Sequence, residues 1–165
     1  MAPISHIAFT AGDSLEHRET SDIDLAFIQR SGMVRFVAPL LLGKLAPRFL
    51  KDHWYSSLTL TGGKVAERPM PQYTVLTSYA AGVEGMTLNL ALDVKPIRVN
   101  LVSPGAVRTE LWGPDPAAIE DALSKEIALS KVGSVEEAAE SYIYLMKDTN
   151  STGSIVPRNE GELSL

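Results

Sequence analysis

Apolar and polar positions along this chain fall into blocks that switch between a strand period and a helix period. Residues 4–10 form a short apolar run that Gly12-Asp13-Ser14 ends, and 16–24 is polar and charged. From 24 to 50, Phe27, Val34, Val37, Leu41 and Leu45 recur at three- and four-residue spacing. That period predicts a helix with Arg30, Arg35, Lys44 and Arg48 on its outer side. Ser21 or Asp22 is its expected N-cap, and Pro39 and Pro47 are expected to kink or divide it. Residues 57–61 read as a β-branched strand, followed by Gly62-Gly63-Lys64 and a Pro-rich loop. A second long helix is expected over 73–94, then a strand over 97–102 between Pro96 and Pro104-Gly105. A helical segment follows from 114 to about 129. Ser134 with Glu137 is a capping-box pattern for a helix reaching Lys147, and 154–156 and 159–165 are a short strand and a tail.

Strands alternating with helical patterns imply βαβ units, so the expected class is α/β: a parallel sheet of about four strands with flanking helices. The two long helices should lie against one face, with right-handed crossovers. The second helix carries a further demand. Between Pro69 and Leu92 the only formal charge is Glu84, which leaves almost no solvent face. The sheet can cover one side, and something else must cover the other.

Composition narrows the functions. With 165 residues, 45% of them hydrophobic, a single domain over 1–165 is expected. The net charge of −5 and the lack of a Lys/Arg cluster argue against a nucleic-acid partner. The chain has no cysteine, which excludes disulfides, thiol nucleophiles and thiolate zinc sites. His6, His17 and His53 lack ligand spacing, so no metal is expected. The first residues show no leader pattern and Leu40-Leu41-Leu42 is too short to span a bilayer. A cytoplasmic protein without a membrane partner is the expectation.

The run Ile97-Arg98-Val99-Asn100-Leu101-Val102-Ser103-Pro104-Gly105, with Thr109 after it, resembles the sixth strand and following loop of the short-chain dehydrogenase/reductase family. His6-Ile7-Ala8-Phe9-Thr10-Ala11-Gly12 resembles that family's fourth strand, with Phe9 and Thr10 in place of two asparagines. Leu58-Thr59-Leu60-Thr61-Gly62-Gly63 resembles its fifth strand, and Tyr79-Ala80-Ala81-Gly82-Val83-Glu84-Gly85 its tyrosine- and lysine-bearing helix. The resemblance implies a truncated Rossmann-like domain matching the C-terminal two thirds of a family member. It places Gly63, Leu76 and Ala80 at the positions of the family's serine, tyrosine and lysine, and its helix asparagine most simply on Arg30. None of the first three replacements can transfer a proton. No Gly-x-x-x-Gly-x-Gly turn is present to seat a dinucleotide pyrophosphate, so no cofactor is expected.

The resemblance also implies a lid-like segment at about 111–130 and a homodimer through the helices around 25–50 and 73–94. Ala81 and Gly82 are expected to face the partner copy. A ligand pocket would lie at the C-terminal strand ends. There Asp13 reads as a general base or an Asx-turn cap, and Lys64 as an electrostatic donor or a solvated loop lysine. Tyr73 and Tyr79 read as proton donors or as packing residues. Leu76 and Trp112 are expected as apolar walls, Trp112 alternatively as core under the lid. Thr109 matches a family threonine that touches nicotinamide, or caps a helix.

Three functions remain open. The first is a cofactor-independent, non-redox enzyme, an isomerase, cyclase or lyase for an apolar small molecule. The second is a non-catalytic binding or assembly module. The third is an NAD(P)-dependent oxidoreductase fragment whose missing half is supplied separately.

Overall fold

Four strands pair in parallel in the order β1-β2-β3-β4, as expected: β1 His6–Ala8, β2 Ser57–Thr61, β3 Arg98–Pro104 and β4 Ile155–Arg158. This arrangement comes from a computed structural model that describes residues 3–161; the last four residues of the expected tail lie outside it. The register sets Ile7 beside Leu58, Leu58 beside Val99 and Val102 beside Val156. Along each strand alternate side chains face opposite sides of the sheet. Ile7, Leu58, Leu60, Val99 and Leu101 belong to one core cluster with Ala46, Val83, Met86 and Leu90. That apolar side carries the two long helices.

The first long helix is α1 Leu25–Gly32 and α2 Ala38–Phe49, joined without a break by a π-helical turn over Met33–Val37. Its N-cap is Asp24, whose carboxylate accepts from Phe27 N at 2.6 Å; Thr20–Asp22, which includes both expected caps, forms a separate 3-10 turn. Pro39 does not divide the helix. It follows the π turn, where Ala38 N donates to Met33 O, and the widened ring takes up the proline's missing donor and its bulk. Within the 25-residue helix Leu25–Phe49 an 18-residue stretch reaches a mean hydropathy of 1.3, long and apolar enough by those measures to cross a membrane. The earlier expectation considered only the Leu40–Leu42 stretch.

Helix α3, Thr74–Asp93, packs so closely on α1 and α2 that glycines are required at the seam. A Cβ at Gly32 would come 2.4 Å from the Tyr79 ring, and one at Gly82 2.7 Å from Phe36. Gly82 therefore faces its own chain, while Ala81, the other residue expected at the dimer face, is exposed. The open side of α3 is marked by Leu88 and Leu92, the latter 70% exposed.

The third crossover departs from expectation. Helices α2 and α3 cover one face of the sheet, whereas α5, Val135–Lys147, covers the other: Tyr142 reaches Thr61 and the carbonyls of Leu145 and Met146 reach Arg98. The strands step across the sheet in one direction, so crossovers on opposite faces have opposite hands, and the three cannot all be right-handed. The cause lies in β3. Its face opposite the core presents Arg98 and Asn100, which must find acceptors when buried.

Arg98 is 4% exposed, yet its guanidinium donates to the carbonyls of Trp54, Tyr55, Leu145, Met146 and Asp148 at 2.7 to 3.1 Å. It completes the C-terminus of α5 as a cationic cap, satisfying carbonyls that have no partner within the helix. Asn100 holds the next segment, donating to Ser151 O at 2.9 Å and accepting from Ser154 N at 3.0 Å. At the other end of α5, Ser134 and Glu137 form the expected capping box.

Replacing Arg98 by Leu should cost at least about 3 kcal/mol, because several buried carbonyls lose their only charged donor. The melting temperature should fall by roughly 6 to 12 °C for a domain of this size. Arg98→Lys should recover less than half of that, since an ammonium lacks the planar fork. Thermal unfolding of the three proteins followed by circular dichroism measures both effects.

Candidate functional site

The C-terminal strand ends carry the polar groups that the fold leaves available for chemistry. After β1, Asp13 pairs with Arg35, Oδ1 to Nε at 2.9 Å, and its backbone carbonyl also accepts from the Arg35 guanidinium. The two side chains are 33% and 24% exposed, and the guanidinium lies against Gly12, where a Cβ would sit 3.3 Å away. Asp13 is thus neither a lone base nor a simple turn cap. It anchors a cation.

Arg35 was expected on the outer side of its helix. A regular α-helix advances about 100° per residue, and the π turn in which Arg35 sits breaks that count. The extra residue in the turn brings Arg35 to the end of β1. Arg30, the expected counterpart of the family asparagine, instead pairs with Glu16 on the exposed surface at 3.0 Å. The group that the first long helix sends to the strand ends is Arg35.

After β2, Gly63 opens on space: a Cβ there would meet no atom within 4 Å. Lys64 follows in a short 3-10 turn and is half-buried, with its pKa lowered first by burial and then by Arg68, against Glu126 and Glu160. It is not a solvated loop lysine. On the neighbouring face Thr61 Oγ1 donates to Phe9 O at 2.7 Å and lies 2.6 Å from Tyr142 Oη. Because the single threonine proton is committed to Phe9, Tyr142 is the donor of the second bond. Burial pushes the Tyr142 hydroxyl above its ordinary value.

The two candidate tyrosines lie elsewhere. Tyr79 donates to Ile28 O at 2.9 Å and packs on Phe36, closing the seam of α1 and α3. Tyr73 immediately precedes α3 and stacks on His17 at 5.5 Å, joining the loop after β1 to the one before α3. Asp13, Tyr73 and Tyr79 thus have three different partners. Leu76 is 5% exposed and forms part of the interior.

The lid is shorter than expected: a 3-10 turn at Glu110–Trp112 and helix α4, Pro116–Ser124. Trp112 packs with Ala106, Ile127, Val132 and Leu123 as core beneath it. Thr109 makes no side-chain cap bond. It lines a cleft of about 490 Å³ whose mostly apolar walls include Pro116 and Val135, together with Arg108, Glu110 and Glu136. Among the described residues no three His, Asp or Glu side chains are grouped to hold a metal.

Comparison with known proteins gives a consistent picture. A family model described as an SDR-like Rossmann domain matches residues 2–165. The short-chain dehydrogenase/reductase ATR9 of Stachybotrys chlorohalonatus is 41% identical over 162 residues, 96% of this chain and 64% of that protein. The short-chain dehydrogenase/reductase malC of Malbranchea aurantiaca is 39% identical over 164 residues, 97% and 62% respectively. The solved structure of MalC Reductase/Diels-Alderase from that organism superposes with a TM-score of 0.91 at 38% identity, over 99% of this chain and 64% of that one. A small-chain dehydrogenase solved in complex with NADPH gives 0.92 at 26% identity, over 99% and 76%. The chain spans just under two thirds of the length of ATR9 and malC.

The ion pair at the end of β1 should carry measurable stability. Arg35→Met is expected to cost about 1 to 3 kcal/mol, between the values for exposed and buried pairs. Arg30→Met, which breaks only the surface pair with Glu16, should cost less than about 1 kcal/mol. Equal urea midpoints for the two variants would count against the supporting role given to Arg35.

Proposed function

The chain belongs to the short-chain dehydrogenase/reductase family, and from that premise we propose that it is a non-redox enzyme, a cyclase or isomerase acting on a largely apolar small molecule. One observation carries this reading. The strand ends hold an Asp13–Arg35 pair, while the family resemblance sets Gly63, Leu76 and Ala80 where its serine, tyrosine and lysine would be. That Malbranchea's MalC is described as both reductase and Diels-Alderase supports the view that a fold of this kind can carry ring-forming chemistry.

A dinucleotide fits these residues poorly. The Gly105 turn that leads to Thr109, the threonine the family resemblance sets against nicotinamide, has the Glu160 carboxyl packed against it. We therefore route no step through NAD(P). In the proposed reaction the site acts by holding a reactive conformer, an effect that can supply several kcal/mol of the barrier. The Arg35 guanidinium, fixed by Asp13, polarises a substrate carbonyl, and Lys64 adds positive potential. Gly63 leaves room for the substrate where a side chain would otherwise stand.

A second reading rests on the open edge of β1, which has no strand partner on its outer side among the described residues. This chain covers 64% and 62% of the two relatives, and a reductase completed by a separately supplied N-terminal part would pair there.

We also propose that the chain is a homodimer through α2 and α3. A groove of about 450 Å³ between them is lined by Leu40, Leu41, Pro47, Leu90, Lys44 and Asp93. A two-fold copy would set Lys44 of each chain towards Asp93 of the other, and would cover Leu88 and Leu92. Arg30, Lys44 and Arg48 along the first long helix favour a protein neighbour over lipid.

Two experiments test these readings. Incubation with apolar small molecules that carry a diene and an alkene, with and without NADPH, should give products isomeric with the substrate in both cases. A product formed only with NADPH and two hydrogens heavier would overturn the non-redox reading in favour of the second one. Light scattering at tens of micromolar should give twice the chain mass, and Leu41→Glu should give the monomer with an unchanged circular dichroism spectrum.

A further inference from the structure

We propose that Glu160 is a proton-transfer group of the strand-end site, its carboxyl held in a slot between Gly105 and Gly133 by a backbone fixed in the left-handed region. The inference deepens the non-redox reading above and rests on its placement of the active site at the strand ends.

Three independent features single out this residue. Its φ is +53°, a conformation uncommon for residues with a side chain, and sites that hold one are often functional. The side chain then turns into a space that only glycines leave open. A Cβ at Gly133 would come 2.8 Å from Glu160 Oε1, and one at Gly105 would meet Asn159 Cα at 2.7 Å and lie 3.2 Å from Oε2. Finally, Oε2 is buried and has no hydrogen-bond partner, a costly state for a carboxylate and one that a substrate proton would relieve. The main chain holds the group in place, with Glu160 O accepting from Leu129 N at 3.2 Å at the return of the lid. Sequence reading had assigned this segment to a tail.

The surroundings fit proton transfer. Burial is the largest influence and raises the Glu160 pKa above the ordinary carboxylate range, and Glu137 acts in the same direction. Lys131, Lys64 and Arg158 oppose it without reversing the shift. Lys64 comes from the turn beside Gly63, so Glu160 and the open end of β2 share one electrostatic neighbourhood. A poorly solvated carboxylate is a stronger base than one in water, and its protonated form persists nearer to neutrality.

The chemistry is testable without the natural substrate, using nitrobenzisoxazole, a probe for poorly solvated carboxylates. The carboxylate removes the ring C–H proton, the C–H electron pair completes a nitrile, the N–O bond breaks to expel a phenolate, and the proton passes from the carboxyl to water. The full chain should accelerate this elimination over buffer, with a rate that rises through an inflection above the ordinary carboxylate pKa. Glu160→Gln should lower the rate by about 10²-fold, and Glu140→Gln, on the exposed side of α5, should not. Gly133→Ala, which pushes the carboxyl from its slot without removing it, should lower the rate and shift the inflection towards ordinary values. The linked stability has a definite sign. A carboxyl whose folded pKa is raised loses folding free energy as pH rises from the unfolded value through the folded one. Glu160→Gln should therefore melt above the parent chain at neutral pH and equal it in acid. No acceleration by the parent chain, an ordinary inflection, or an unchanged rate in Glu160→Gln would each overturn the assignment of Glu160. Each would leave the cyclisation reading to be judged on its own product.

Discussion

One buried guanidinium organises the side of the sheet that the hydrophobic core does not reach. Arg98 lies on β3, but the carbonyls it serves belong to the segment entering β2 and to the last turn of α5. These pieces are distant in sequence and share no large apolar cluster there. Without that fork of donors, the C-terminal carbonyls of α5 and the approach to β2 would be buried without charged partners, a state that folded chains avoid. The helix is thereby drawn to the face opposite α2 and α3, and the placement of β4, Tyr142 and the lid return follows from it. The interaction is electrostatic in kind but acts as a constraint on topology.

Much of this was legible in the chain. The four strands, the long helices and the capping box at Ser134 follow from period, proline and cap signals that act over a few residues, and the structure places them within a few residues of where those signals fall. The helix at 25–49 was legible as a helix but not in its phase. Its periodicity is that of a regular α-helix, and nothing local distinguishes a π turn except Pro39, which in isolation predicts a break. The side chosen by α5 was not legible at all, because it depends on what a single arginine in a strand finds on the far side of the sheet. Arg98 reads as an ordinary polar interruption in an apolar run.

The site was less legible than the fold, for a related reason. Leu76 and Tyr79 were judged by their place in a family pattern; the structure puts Leu76 in the interior, and for Tyr79 in a helix seam and Trp112 in a small core under the lid it bears out the packing alternative. Asp13 and Lys64 do stand at the strand ends, because a residue just after a parallel strand is positioned by the strand itself. What sequence reading missed are groups carried there by irregular backbone: Arg35 by the π turn and Glu160 by a positive φ. Tyr142 was missed because the cap signals of α5 do not show which side chains it turns to the sheet. The family resemblance sets Gly63, Leu76 and Ala80 at the serine, tyrosine and lysine positions, whereas Arg35 and Glu160 come from elements whose geometry no short motif encodes.

The π turn at Met33–Val37 also bears on how such a site changes over evolutionary time. Deleting one codon there would restore the regular helical register and turn everything before it by about 100° relative to α2. Phe27 would leave its buried position and Arg35 would swing away from Asp13 in the same event. A substitution alters one side chain, but an insertion or deletion at this point reassigns the facing of a whole helical segment. Variation in length at this turn is thus a route by which one scaffold can exchange the charged group at its strand ends while its sheet remains untouched.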